Sequence, residues 1–325
     1  MAMTAHPAIA AVPADTARPF WSVMIPTRDP HPDYLARALA ALLDQDPGPA
    51  AMEIALIDDA STTIDARRCL PAAASERVAW FRHEHHVGIG RNWNTCIARA
   101  RGQWVHILHQ DDLLRPGFYD RLRAGIESAP AAGAAFCRDV VIDAQDAEIQ
   151  GQRQLRATPG VVEDWVEHIV VGLHLRASAL VVRRSVYEAL GGFRLDLHYA
   201  LDWDMWKRIA AAYPLWYEPA PLACYRRHAG SATSTFVRSG ANIAEIRRSI
   251  ELSAPLLPPA MAADATRRAR ANYTTYAVNL AWRALQAHDL RASLAQIREA
   301  RKLTSGIAVA QAVGRLLARA ARPPR

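Results

Sequence analysis

No stretch of this 325-residue sequence holds the roughly 18 to 20 uncharged apolar residues of a membrane-spanning helix. Neither G-x-G-x-x-G nor G-x-x-x-x-G-K-[ST] occurs, which argues against a dinucleotide or P-loop site. Cysteine is scarce: Cys69, Cys96, Cys137 and Cys224 lie 27, 41 and 87 residues apart, with no C-x-x-C and no His pair at metal-ligand spacing. A reducing compartment is the simplest reading. The first 19 residues lack a charged n-region and an unbroken apolar run, so they read as a short flexible leader rather than a signal peptide. The expectation is a cytoplasmic protein, soluble or peripheral at the inner face of the membrane.

Excess charge is also missing from most of the chain. The formal charge is +7, and residues 291–325 alone carry eight Lys/Arg against one Glu, which is also +7. The body is therefore neutral, and a main surface that binds nucleic acid is not expected, because phosphate binding needs cations spread along the contact face. With 51% apolar and 22% charged residues the chain has ample material for a core, and global disorder is excluded.

From Trp21 to about Asp143, β-rich runs alternate with amphipathic helical stretches, and successive runs start roughly 25 to 30 residues apart, as βαβ units require. The runs are Ser22 to Pro26, Glu53 to Ile57, Val78 to Phe81, Trp104 to Leu108 and Ala134 to Ile142. Between them, Leu35, Leu39, Leu42 and Leu43 recur at helical spacing, as do Trp93, Cys96, Ile97 and Ala100. This half reads as an α/β fold, a mostly parallel sheet with helices on both sides. Further on, we expect a helix near Val162 to Val171, a strand near Ser178 to Val182, a turn at Gly191 to Phe193, a helix from about Asp202 and a Pro-rich turn at Pro219 to Pro221. From Gly240 every periodic stretch is helical, with breaks at Pro255, Pro258, Pro259 and Gly306. The expected division is a leader, 1–19; an α/β domain, 20–235, in two halves, 20–143 and 144–235; and a helical C-terminal extension, 240–325, ending in a basic tail.

In such sheets ligands sit beyond the carboxyl ends of the strands. Two acidic pairs fall there: Asp58 and Asp59 after the second run, Asp111 and Asp112 after the fourth. Helix capping is the bland account of the first pair. Adjacent carboxylates repel unless a cation or donors compensate them, and Mg²⁺ or Mn²⁺ does so while leaving room for substrate phosphates. The first run ends in Thr27-Arg28-Asp29, a hydroxyl, a guanidinium and a carboxylate without a glycine-rich loop. Arg91, after Gly88-Ile89-Gly90, is either an exposed helix arginine or the positive charge for a diphosphate. Trp203 and Trp206 flank Asp202 and Asp204; their spacing suits core packing as well as a platform for a sugar ring.

Read together, these residues resemble the family 2 glycosyltransferases, an inverting group with the GT-A fold, over roughly residues 20 to 230. Ser22-Val-Met-Ile-Pro-Thr27 resembles the family's opening strand, and Ile57-Asp58-Asp59-Ala60-Ser61 its V-D-D-G-S element. Asn92 to Ala100 with Arg101 to Val105 is similar to the A-R-N-x-G and A-x-G-E-Y-I stretch, and His109-Gln110-Asp111-Asp112 occupies the place of D-x-D-D. Gly191-Gly192-Phe193 and Leu201-Asp202-Trp203-Asp204-Met205-Trp206 resemble the G-G-F and E-D-x-D-L-W acceptor elements, and Tyr225-Arg226-Arg227-His228 the Y-R-x-H stretch. Two positions depart: His109 stands for the first Asp of D-x-D and Leu201 for the Glu of the E-D pair.

The resemblance implies contacts from Thr27, Asp58 and Asp59 to the base and ribose of a nucleotide, with Arg91 and Asp111 on the diphosphate. It implies Mn²⁺ or Mg²⁺ on Asp111, with His228 reaching the metal or the diphosphate and His109 as a neutral polar wall. Asp202 is then the base, with Trp203, Asp204 and Trp206 on the acceptor side. The Q-x-x-R-W element of polymerising relatives is missing, which favours one sugar per encounter. The implied reaction is inverting transfer from a nucleotide diphosphate sugar, of uridine or thymidine, to a hydroxyl on a glycan, a lipid-linked saccharide or a small molecule. Two alternatives stand: a sugar nucleotidyltransferase, against which the missing glycine-rich basic loop speaks, and a non-catalytic sugar-nucleotide scaffold. In the tail, Ile307, Val309, Ala310, Val313, Leu316 and Leu317 share one side of a helix and Arg315, Arg319 and Arg322 another, which allows packing on the protein or weak docking to an anionic membrane.

Overall fold

The computed structural model describes residues 6–70, 75–151, 154–173, 175–228, 230 and 232–320. The five apolar runs of the first half are strands: β1 Trp21–Thr27, β2 Met52–Asp58, β3 Ala79–Arg82, β4 Trp104–Ile107 and, after the short β5 Leu113–Leu114, β6 Ala134–Ile142. They are followed by β7 Glu148–Gly151, β8 Gly160–Val162, β9 Leu180–Arg183 and β10 Leu215–Arg226. The helices are α1 Pro32–Leu43, α2 Ile89–Arg99, α3 Phe118–Ser128, α4 Trp165–Ile169, α5 Arg184–Leu190, α6 Leu201–Ala212, α7 Ala232–Ser239, α8 Ala241–Ser253, α9 Pro259–Gln286, α10 Leu290–Leu303 and α11 Gly306–Ala320. Two compact units result: residues up to 165 with 174–196 and 208–228, and residues 166–173 with 197–207 and those from 229 onward.

The first unit is built on one sheet with strand order β3-β2-β1-β4-β9-β6-β10-β5, to which β7 adds on β6 and β8 on β10. β1 is buried along its whole length, as an apolar run covered on both faces must be. It pairs in parallel with β2 from Trp21↔Met52 to Thr27↔Asp58 and, on its other edge, with β4 from Trp21↔Trp104 to Met24↔Ile107. The chain moves outward from β1 through β2 to β3 and then returns to the opposite edge as β4. In open α/β sheets ligands bind in the crevice at such a reversal, here beyond the carboxyl ends of β1, β2 and β4. β9 lies antiparallel between β4 and β6, and β10 runs parallel to β6. α1 starts at Pro32, whose fixed φ and missing N–H suit a first turn, and it buries Leu35, Ala38, Leu39 and Leu42 at i, i+3, i+4 and i+7. Each such leucine contributes roughly 1.5–3 kcal/mol of burial.

Two expectations change. The helix expected over 162–171 is only α4, because Gly160–Val162 pairs with β10 as a strand. The Pro-rich turn at Pro219 to Pro221 is the middle of β10. Its register against β6 shifts between Glu218 and Pro221 and again between Pro221 and Ala223, so the missing proline N–H groups are absorbed at bulges. Consequently the residues after Pro221 continue straight along the sheet to Arg226.

In the second unit Ile243, Ile246 and Ile250 of α8 and Ala269, Ala277 and Val278 of α9 are buried. The expected breaks hold: Pro258 precedes α9 and Gly306 opens α11. On α11, Val309 is buried while Ile307 is 73% exposed; the side chains of Arg315, Leu316, Leu317, Arg319 and Arg322 lie outside the described residues. No helix among the described residues is long and apolar enough to cross a membrane. All four cysteines are buried free thiols.

Candidate active site

The ends of β1 and β2 are locked to each other. Thr27 closes β1, and its carbonyl accepts a hydrogen bond from the Asp59 N–H at 2.8 Å. Asp58, at the end of β2 and fully buried, pairs with Arg82 at 3.1 Å and accepts from the Ser61 N–H at 3.2 Å and from the Ser61 hydroxyl. Asp59 accepts from the Val87 and Gly88 N–H groups at 2.7 and 3.0 Å and lies 2.8 Å from His86 Nδ1. It thereby fixes the turn that opens α2. Asp29, just past β1 at φ 40°, accepts from the Thr62 and Thr63 N–H groups and the Thr63 hydroxyl. Burial raises its pKa, but these hydrogen bonds and Arg28 outweigh it and hold the carboxyl below its ordinary value. Arg28 remains partly exposed at the crevice, where its N–H donates to Gln110 Oε1 at 2.8 Å and its carbonyl accepts from Gln110 Nε2 at 3.1 Å. That exchange joins the end of β1 to the acidic loop after β4.

His109, Asp111 and Asp112 of that loop each offer a ligand atom, all within 4.8 Å of one another. β10 delivers the fourth group: His228 Nε2 lies 2.8 Å from Asp111 Oδ2. Asp112 is fully buried; its Oδ1 accepts from the Arg226 N–H at 2.9 Å, and Oδ2, 3.5 Å from His109 Nδ1, takes no hydrogen bond among the described residues. Asp111 and His228 keep partly open side chains, at 21% and 17% exposure. Oxygen donors with one or two imidazoles, and a buried carboxylate oxygen left over, fit a hard or borderline divalent cation such as Mn²⁺ or Mg²⁺.

A residue that sequence reading passed over holds this loop. Arg226 is fully buried; Nε donates to the Asp111 carbonyl at 2.8 Å, Nη1 donates to the Asp143 carbonyl at 3.0 Å and pairs with Asp146, and the guanidinium lies 4.5 Å from the Tyr34 ring centroid. Burial raises the Asp146 pKa, but the hydrogen bonds from Arg226 and Arg37 bring it below its ordinary value. Arg226 thus ties the backbone of the acidic loop at Asp111 to the segment after β6, while its own N–H holds Asp112.

α2 lines the same crevice. Asn92 donates to the Ile57 carbonyl at 3.1 Å, tying α2 to β2, and Trp93 packs its ring 5.1 Å from His109. Asn94 both accepts from the Phe193 N–H at 2.7 Å and donates to the Phe193 carbonyl at 2.9 Å. This two-way bond explains the glycines of the Gly-Gly-Phe turn: Gly191 has φ 79°, and a Cβ on Gly192 would lie 2.3 Å from Asn94 Oδ1. Arg91 is exposed on the first turn of α2, and its guanidinium makes no hydrogen bond or ion pair among the described residues.

The acceptor-side candidates form a group of their own in the second unit, on the first turns of α6. Asp202 is partly exposed, whereas Asp204 is 4% exposed. The backbone N–H groups just ahead of the helix are satisfied elsewhere: Glu245 Oε2 of α8 accepts from His198, Tyr199 and Ala200 at 2.7, 2.6 and 3.1 Å. Neither tryptophan presents an open ring face, Trp203 being 1% and Trp206 2% exposed. Trp203 donates from Nε1 to the Ile169 carbonyl at 2.6 Å and packs on Tyr273. Lys207 Nζ sits 3.9 Å over the Trp203 ring and donates to the Ser249 carbonyl and hydroxyl at 2.6 and 2.8 Å.

Comparison with known proteins now gives this crevice a lineage. The chain is 27% identical over 262 residues to an uncharacterized protein of Mycobacterium tuberculosis, spanning 73% of this chain and 76% of that one. It is 34% identical over 132 residues to the succinoglycan biosynthesis protein ExoO of Rhizobium meliloti, over 39% of this chain but only 36% of that protein's length. Among solved structures, Staphylococcus aureus TarS in complex with UDP-GlcNAc superposes with a TM-score of 0.57 at 14% identity, covering 87% of this chain and 91% of that one. The mannosyltransferase PcManGT from Pyrobaculum calidifontis, in complex with GDP-Man and Mn²⁺, also gives 0.57 at 19% identity, covering 95% and 83%. These likenesses establish the GT-A type of α/β fold. The model of the family described as Glycosyl transferase family 2 matches residues 22–190, more than half of the chain, and the protein accordingly belongs to that family and is a glycosyltransferase.

Proposed function

We propose that the protein transfers a glycosyl group from a nucleotide diphosphate sugar, of uridine or thymidine, to an acceptor hydroxyl, one sugar per encounter and with inversion at the anomeric carbon. The observation that carries this reading is the convergence, beyond the carboxyl ends of β1, β2 and β4, of the polar strand ends Thr27, Asp58 and Asp59 with the His109, Asp111, Asp112 and His228 cluster. Two structures of similar fold that hold nucleotide sugars, one with Mn²⁺, support it.

In this reading residues 20–235 form the catalytic domain. Thr27, Asp58 and Asp59 shape the seat of the base and ribose, Arg28 and Arg82 line its mouth, and Arg91, with no protein partner among the described residues, is available to the diphosphate. Asp111 and His228 would hold the cation, with Asp112 behind them. A bound divalent cation would supply Lewis-acid stabilisation of the departing diphosphate. Asp202 takes the proton of the acceptor hydroxyl as the new bond forms; its more open position favours it over the buried Asp204. The acceptor is a glycan, a lipid-linked saccharide or a small molecule, and the four unpaired thiols accord with action on the cytoplasmic side.

Single-turnover transfer at saturating donor, across a panel of nucleotide sugars with Mn²⁺, tests the assignment. Asp202→Asn should fold and bind the nucleotide yet lose roughly a hundredfold or more in transfer, and Asp204→Asn should lose far less. Near-normal transfer by Asp202→Asn would move the base elsewhere. Donor binding without transfer to any acceptor would favour a scaffold.

A further inference from the structure

α10 is turned the opposite way from a core-packed amphipathic helix. Its buried side is Ala292, Ser293, Gln296, Glu299, Ala300 and Leu303, largely small or polar. Gln296 pays its burial with hydrogen bonds to the Val237 carbonyl and Asn242 Oδ1, the latter at 2.8 Å. Leu290 and Leu294 point outward at 58% and 61% exposure. At about 3.6 residues per turn, Leu290, Leu294 and the half-buried Ile297 form one outer stripe, with Arg301 at its end and Arg291, Arg298 and Lys302 along one side. Glu299, on the buried side, pairs with Arg298 and Lys302, which leaves the outer face with four cations against one carboxylate.

We infer that this outer face of α10 is a docking surface for an anionic lipid bilayer. Two leucines flanked by arginines match the layered chemistry of a membrane surface, in which apolar side chains enter below the headgroups while guanidinium groups meet the phosphates. A second copy of this chain is the poorer occupant, since it would bring the same cations against these. The inference deepens the lipid-linked acceptor reading above and rests on it for its purpose: a surface-bound enzyme meets an acceptor confined to the bilayer. The surface proposed is on α10, ahead of the terminal helix for which the sequence alone allows membrane docking.

The test is co-sedimentation of the full chain, without any sugar nucleotide, with vesicles of phosphatidylcholine alone or with about a third phosphatidylglycerol. We expect at least about tenfold stronger partitioning onto the anionic vesicles, abolished at about 0.5 M salt. The double variant Leu290→Gln/Leu294→Gln, at exposed positions and with an unchanged melting temperature, should lose about tenfold or more of that binding. Arg291→Gln/Arg298→Gln should lose the preference for anionic lipid. Wild-type binding by the leucine variant, or no lipid binding by the wild type, would overturn the proposal. So would concentration-dependent self-association that the leucine variant abolishes in the absence of lipid. Because no donor or acceptor is present, these outcomes are independent of whether the transfer reaction has been assigned correctly, which the single-turnover assay decides.

Discussion

His228 Nε2 lies 2.8 Å from Asp111 Oδ2, although 117 residues separate them in the chain. The contact exists because β10 runs unbroken past its two bulges and ends beside the loop after β4. If the pair holds a divalent cation, chelation should abolish transfer and Mn²⁺ or Mg²⁺ should restore it. Asp111→Ala should lose nucleotide affinity together with rate, by roughly a hundredfold or more, whereas His109→Ala should be much milder. Calorimetric titration of a nucleoside diphosphate, with and without Mn²⁺, measures this directly; metal-enhanced binding retained in Asp111→Ala would refute the assignment.

Arg226 makes a second, separable prediction. It is fully buried, and its guanidinium pairs with Asp146 and donates to the Asp111 and Asp143 carbonyls, so removing that side chain strips one carboxylate and two carbonyls of their donor, while the backbone N–H bond to Asp112 stays. Arg226→Met should cost on the order of 3 kcal/mol of stability. Arg226→Lys keeps the charge but loses the fork, and should recover only part of the loss. Urea denaturation of the two variants distinguishes them: equal stability in Arg226→Met and wild type would mean that the guanidinium compensates nothing.

These two residues mark how far the sequence could be read. The strands that carry Thr27, Asp58 and Asp111 were legible because β-branched and apolar runs recur at βαβ spacing, and that periodicity places the acidic pairs at strand ends. Arg226 was not, because Pro219 and Pro221 signal a turn locally, and only pairing with β6 converts them to bulges within a strand. The burial of Trp203 and Trp206 was open for a related reason. Their spacing fits an exposed stripe as well as a buried one, and tertiary burial alone decides. Glu245 gave no local signal, since its partners lie some 45 residues away.

Glu245 itself should act as a positioning residue. One carboxylate oxygen accepts three successive backbone N–H groups immediately before α6, a charge-assisted nest that sets where the helix bearing Asp202 begins. Glu245→Gln keeps an acceptor but drops the charge, and should cost roughly 1 to 2 kcal/mol, with Glu245→Ala costing more. In steady-state assays kcat should fall while the KM for donor stays near normal, because the nucleotide crevice is built from other elements. A change confined to donor KM would contradict the role.

Lys207 gives the chain a pH signature. Burial lowers its pKa to about 7, against the opposing pull of Asp204 and Asp202, and its ammonium is held by the Ser249 carbonyl, the Ser249 and Ser253 hydroxyls and the Trp203 ring. In the unfolded chain this lysine titrates near its ordinary value of 10.5. Between those two values the unfolded state binds more protons than the folded one, so the contribution of Lys207 to stability rises with pH. Above the unfolded value the contribution is fully present; as pH falls it is progressively lost, until below about 7 both states carry the proton and no further change follows. At about 1.4 kcal/mol per pH unit, moving from pH 7 to pH 9 should add roughly 2 kcal/mol from this residue. Lys207→Met has a similar stem and no titrating group, so it should flatten that segment of the profile while other groups titrate as before. Urea midpoints of both proteins at the two pH values provide the comparison. Parallel profiles would mean that the buried amine keeps an ordinary pKa, its three oxygen partners and the indole face having replaced the solvation lost on burial.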